Sequence, residues 1–201
     1  MKKAIIVLMC LMVVGTGAFA LEMAVGGGLL YNWSTTNGKV DLDYIFPGLG
    51  LGKWDWDLSR NGFGVFGFFG FNQYTEINLG FLYKNPGTFK VEGEDLGSDD
   101  LESKGALQLG LYGKYPIPIS DTFVFFPTIG VDLEYTLGDA EGWWHDLWLR
   151  GGVGLDYFLN ERMFIRGHLI YGAALPFGGE DYYDLKLTHG LLIKVGLGVM
   201  L

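Results

Sequence analysis

The sequence predicts an all-β chain: an eight-stranded antiparallel up-and-down barrel that spans a membrane. Three observations predict it. Apolar and polar residues alternate along segments of roughly ten residues. The connectors between these segments are short and long in turn. The phase opposite the apolar one is filled with glycine and charge, where a solvated sheet face would carry larger polar side chains.

Ahead of the first segment, Lys2 and Lys3 precede an almost continuous apolar run from Ala4 to Val14, and Ala18-Phe19-Ala20 is a small-x-small cleavage pattern. This predicts a signal peptide over 1–20 and a barrel domain over 21–201. The competing reading is an uncleaved transmembrane anchor. A lipid anchor on Cys10 is rejected, because Met9 stands where a small residue is needed. Cys10 is the single cysteine, so the processed chain has no thiol for a disulfide or a Cys-ligated metal. Beyond the leader, the longest run without a charge is Met23 to Gly38, 16 residues with five polar ones among them. A spanning helix needs about 20 mostly apolar residues.

Strand one, 22–33, ends on Tyr31 and Trp33. Strand two, 62–71, is too uniformly apolar for its inward face to be read. Strand three, 74–85, carries Glu76 and Lys84 on its polar phase and Tyr83 on the other. Strand four, 106–118, alternates as Leu109-Gly110-Leu111-Tyr112-Gly113-Lys114-Tyr115 before Pro116. Strand five, 123–137, sets Phe123, Phe125 and Tyr135 against Gly130, Asp132 and Glu134. Strand six, 147–159, sets Leu147, Leu149, Gly151, Val153, Leu155, Tyr157 and Leu159 against Trp148, Arg150, Gly152, Gly154, Asp156 and Phe158. Strand seven, 164–176, brings Arg166, His168 and Gly172 to the polar phase. Strand eight, 189–201, sets Leu191, Ile193, Val195, Leu197, Val199 and Leu201 against Gly190, Lys194, Gly196 and Gly198.

Residues 72–73, 119–122 and 160–163 then read as tight turns; 34–61, 86–105, 138–146 and 177–188 read as long loops. Sorting of this kind is expected when the two ends of a barrel face different compartments. Tyr31, Trp33, Tyr83 and Tyr135 gather near the long loops, and Tyr115, Phe123, Phe125 and Tyr157 near the turns, as two interfacial girdles. An even number of strands and a chain that stops on a strand bring both ends to one side, where strands one and eight close the barrel and remove its edges.

With 49% hydrophobic and 16% aromatic residues the chain is not a disordered one. Its 33 glycines follow no Gly-X-Y repeat. Loss of Lys2 and Lys3 takes the formal charge from −9 to −11, which excludes a basic nucleic-acid surface.

The segments Phe71 to Tyr83, Leu109 to Pro116, Phe126-Pro127-Thr128-Ile129-Gly130-Val131, Gly152 to Phe158 and Val195 to Leu201 resemble small outer-membrane barrels of the OmpA-transmembrane, OmpX and OmpW type, over the whole processed chain. The resemblance implies a bacterial outer-membrane location, a lipid surround, and recognition by periplasmic chaperones and the barrel-assembly machinery. The assembly signal falls on Val195, Leu197, Val199 and Leu201. Family members usually end on an aromatic residue; Leu201 stands there here.

Some eight-stranded relatives modify lipid A and need a serine, a histidine and a carboxylate together. Ser34, Ser59, Ser98, Ser103 and Ser120 all read as loop or turn residues with no histidine nearby in sequence, so no catalytic role is expected. His145, Asp146, Asp139 and Glu141 form a conceivable metal set, but without fixed ligand spacing; an acidic solvated loop explains them better. Glu92, Glu94, Asp95, Asp99, Asp100 and Glu102 against Lys90 and Lys104 read as solvation, with cation or protein binding as the alternative. No cofactor is expected. Trp54, Trp56, Trp143 and Trp144 read as loop indoles that contact a surface ligand or an extracellular protein, or that dip into the lipid interface.

The specific expectation is a lumen filled by charges: Glu76, Lys84, Lys114, Asp132, Glu134, Arg150, Asp156, Arg166, His168 and Lys194. A symmetric hairpin pairs Glu134 with Arg150, and the turn at 160–163 pairs Asp156 with Arg166 or His168. The function expected is structural or adhesin-like. An OmpW-like carrier of small hydrophobic molecules is the alternative, and the charged inward phase argues against it.

Overall fold

Extended backbone can cross a bilayer only when every N–H and C=O finds a neighbouring strand, so alternating segments must close into a ring. The computed structural model describes residues 23–41, 52–95, 103–137, 145–177 and 183–201. Within them lie β1 (Ala24–Asp41), β2 (Lys53–Asn72), β3 (Thr75–Lys84), β4 (Thr88–Val91), β5 (Glu94–Asp95), β6 (Lys104–Lys114), β7 (Ile117–Pro118), β8 (Phe123–Thr136), β9 (His145–Phe158), β10 (Met163–Phe177) and β11 (Tyr183–Met200). β1 pairs with β2 on one side and β11 on the other. An antiparallel ring of eight therefore closes in the order β1, β2, β3, β6, β8, β9, β10, β11. The short β7 continues the line of β6 along β8, while β4 and β5 hang from the upper part of β2.

The tight turns are made by side chains that imitate the backbone. Asn72 Oδ1 accepts from the amides of Tyr74 and Thr75 at 2.7 and 2.8 Å. Asn160 Oδ1 accepts from Arg162 and Met163 at 2.9 and 2.8 Å. Ser120 Oγ does the same for Thr122 and Phe123. Such turns need a short polar residue at their first position.

The long end departs from expectation. Residues 34–41 and 53–61 are not loop: β1 and β2 stay paired from Ala24↔Gly70 to Asp41↔Lys53. Polar residues on both faces hide this strand from a pattern search, since above the membrane neither face needs to be apolar. β11 also begins earlier than 189, at Tyr183, and accompanies β1 upward. The second long connector contains a hairpin, β4 and β5, joined by Glu92 and Gly93 at positive φ.

The inward face of β2 is now fixed: Phe66 and Phe68 are buried, whereas Phe63, Val65 and Phe71 are exposed. Phenylalanine thus lies on both faces, which is why alternation was silent there. Lumen glycines make room for such rings. A Cβ at Gly26 would lie 2.5 Å from the ring of Phe68, and one at Gly198 would lie 2.2 Å from that of Phe164.

Outside, the apolar belt is bare: Leu29 is 69% exposed and Leu79 62%. On β8 the outward phase runs Phe123, Phe125, Pro127, Ile129, Val131, Leu133, Tyr135. That is about 40 Å of strand, or about 30 Å of membrane thickness at the usual barrel tilt. Tyr31, Trp33 and Tyr83 edge the belt toward the long connectors; Phe71, Tyr115, Phe123 and Tyr157 edge it toward the turns. Phe123 and Tyr157 stack with centroids 4.8 Å apart.

Candidate functional site

Period-two geometry sends every second residue of each strand into the ring, and an eight-stranded ring is only wide enough for side chains to fill. Glu76, Asp132, Glu134, Arg150, Asp156, Arg166, His168 and Lys194 are all buried there, and Lys84 with them. The side chain of Lys114 is buried as well.

At the turn end the network is centred on Arg166. Its register partner across β9–β10 is Asp156. Nε and Nη2 donate to Asp156 Oδ1 and Oδ2 at 2.7 and 2.6 Å, a two-pronged pair. Nη1 donates to Glu76 on the far wall. Glu76 also accepts from Lys114 Nζ at 3.1 Å and from Asn78 Nδ2 at 2.9 Å. The Arg166 guanidinium lies over the rings of Phe68 and Phe164 at 4.6 and 4.7 Å. Lys194 donates to Asn78 Oδ1 at 3.2 Å and sits 4.8 Å from the centroid of Tyr112.

Nearer the long connectors, Asp132 Oδ2 lies 2.5 Å from Arg150 Nε as an ion pair and accepts from Tyr112 Oη at 2.5 Å and Gln108 at 3.3 Å. Arg150 stacks 4.3 Å from the ring of Trp148. Lys84 pairs with Glu134 at the rim.

The expected Glu134–Arg150 pairing is wrong. The β8–β9 register sets Gly130 opposite Arg150 and Glu134 opposite Asp146. The hairpin turns two inward positions from where a symmetric loop over 138–146 places it, because β8 stops at Thr136 while β9 already starts at His145. Asp132 takes Arg150, and Glu134 is left to Lys84. Between Arg166 and His168, the register chooses Arg166 for Asp156. His168 instead meets Phe126 edge-on at 5.2 Å, with neither ring nitrogen hydrogen-bonded among the described residues.

The lumen is also more apolar than the charged phase suggests: Leu82, Ile170 and Leu192 are 0% exposed and Trp148 1%. Tyr112, Gln108 and Asn78 belong to the network without having been expected in it. They share the inward phase of Lys114, Gly110 and Glu76, so the signal was present but carried no formal charge.

The remaining candidates scatter. Trp54 and Trp56 lie on β2, not in a loop. Trp54 shares the inward phase of Trp56 but lies beyond the packed interior and is 40% exposed; Trp56 packs over Gly38 and lies 5.9 Å from Phe89, so it is no free contact residue. Trp143, Trp144, Asp139 and Glu141 fall outside the described residues, as do Ser98, Asp99, Asp100 and Glu102. Ser34 and Ser59 sit on strands rather than in a loop, and the Ser59 hydroxyl meets Thr35 at 3.0 Å. His189 is on the outer face, bonded through Nδ1 to the Tyr171 hydroxyl at 2.8 Å and edge-on to Trp33. Val195, Leu197 and Val199 line the outward face of β11, and the exposed Leu201 follows its last residue.

A closed ring with a bare apolar belt, two aromatic edges and a packed polar interior defines an integral β-barrel membrane protein. The sequence matches the outer membrane protein beta-barrel domain family over residues 6–197, and the chain belongs to that family. It lies in the outer membrane. Among solved structures the fold is similar to that of the outer membrane protein OprG of Pseudomonas aeruginosa, with 18% identity, 90% of this chain and 96% of that one covered, and a TM-score of 0.54. It is also similar to the outer membrane protein AlkL, with 11% identity, 92% and 93% covered, and a TM-score of 0.51. No curated protein matches the sequence.

Proposed function

We propose that the chain is a non-conducting outer-membrane barrel that works through the sheet it raises above the membrane. The packing of Leu82, Ile170, Leu192 and Trp148 across the lumen supports this most directly. These side chains are 0–1% exposed, and an eight-stranded ring is narrow enough for side chains to fill at their level. The work is then left to the surface. Above the belt, β11, β1, β2 and β4 continue as one sheet. It offers Lys53, Asp55 and Asp57 on one side and the exposed Trp54 on the other, polar and aromatic groups of the sort that contact an extracellular protein or surface ligand. Asp55 is held from both sides: its carboxylate pairs with Lys39 at 3.2 Å and its amide donates to Glu92 at 2.8 Å, so the face is preordered.

Intact cells displaying the protein should bind to wells coated with fibronectin, collagen or mucin, and Trp54→Ser with a shortened β4–β5 hairpin should lose that binding. Unchanged binding, together with faster entry of an apolar dye into vesicles that carry the protein, would replace this reading with transport of small hydrophobic molecules.

A further inference from the structure

The outer face of the barrel carries an apolar groove of about 480 Å³ across β2, β3, β6 and β8. Two adjacent rows of cross-strand neighbours form its walls. One runs from Gly67 through Leu79 to Leu109, the other from Val65 through Phe81 toward Tyr135. The groove exists because Gly67 brings no side chain to a position flanked by projecting ones. A Cβ there would meet nothing nearer than Gly26 O at 3.6 Å. Gly80 lies beneath, in the inward row between the walls, and thins the floor.

The position of the groove identifies its occupant. The upper wall is one outward step below the pair Phe63–Tyr83 at the long-connector girdle, so the groove lies in hydrocarbon. Water has no polar partners on such a surface. Four strands side by side give a length of about 14 Å. A partner helix is about 10 Å wide, too broad to sit between two adjacent side-chain rows. A single flexible hydrocarbon chain fits. The groove is continuous with the lipid-covered belt, which supplies such chains from the leaflet at the long-connector end. We propose that it holds one acyl chain of a bilayer lipid from that leaflet, retained while the chains around the rest of the belt exchange. This rests on the membrane embedding alone and is independent of the surface function.

The test is photocrosslinking of the full-length protein in vesicles of phosphatidylethanolamine and phosphatidylglycerol doped with a phosphatidylcholine bearing an acyl-chain diazirine. Crosslinks mapped by mass spectrometry should fall on Leu79, Phe81 and Leu107 severalfold more often than on Leu149 and Leu169 of the opposite wall. Gly67→Leu should fill the groove and abolish the excess. Gly167→Leu, the same change on the outer face of β10 where a Cβ meets nothing within 4 Å, should leave it intact. Leu79→Trp fills the groove from the neighbouring position of the same wall and serves if Gly67→Leu does not fold. An even distribution around the belt, or an excess that survives the filling variants, overturns the proposal. So does an excess displaced by free palmitate, which would make the occupant a free fatty acid.

Discussion

Arg150 and Arg166 show how much one buried cation is asked to do. Removing the partner of a buried carboxylate strands a charge where water cannot reach it. Arg150→Ala is expected to destabilise the barrel by about 3–5 kcal/mol, read from urea unfolding in lipid vesicles. Exchanging both members, as Asp132→Leu with Arg150→Met, should recover most of the loss, because an apolar pair of similar volume carries no desolvation cost. Recovery would show that the pair fills space rather than supplying net stability. Arg166 differs, since its guanidinium engages Asp156 with two nitrogens and Glu76 with a third. Arg166→Lys keeps the charge and loses the fork, and should cost about 1.5–3 kcal/mol in the same assay. These residues were legible as charges on one phase. Their pairing was narrowed only where a short turn limits the register, to Arg166 or His168 for Asp156; across the longer connector after β8 the expected partner was the wrong one.

Elements were readable wherever lipid imposes a pattern. β3, β6, β8, β9 and β10 begin and end near their expected limits, because the bilayer demands an apolar outward phase. β1, β2 and β11 outgrew theirs, since Thr35 to Asp41 and Lys53 to Asn61 pair in water, where either face is free to be polar. The turns follow local chemistry: Asn72→Ala removes an acceptor from two amides and should cost about 1–2 kcal/mol, measured by the same unfolding assay. The sorting of connectors predicts an orientation with the long ones outside. Cys10 is the single cysteine of the sequence, so in a Cys10→Ser background introduced single cysteines are clean probes. A membrane-impermeant maleimide on intact cells should label Lys90→Cys in β4 and spare Gln73→Cys and Glu161→Cys in the tight turns. Labelling of the turn cysteines alone would invert the topology.

At the scale of the whole molecule, fold and location follow from alternation, girdles and closure together, none of which decides the matter alone. Processing is a separate expectation: N-terminal sequencing of the protein from the outer-membrane fraction should begin at Leu21. The candidate site was half legible. Charge announced the lumen network, but the apolar plug did not show, since Leu82, Ile170 and Leu192 look in sequence like any strand residue and Phe66 and Phe68 lie in a strand whose faces read alike. Charges and apolar residues share the interior: ion pairs tie opposite walls, while Leu82, Ile170, Leu192 and Trp148 are buried between them. The account stands on that closed interior. Planar-bilayer recording of the purified, refolded protein tests it most directly. A flat baseline at voltages where an open porin conducts is the expected result; steady, reproducible current steps that scale with salt would show an open lumen and contradict it.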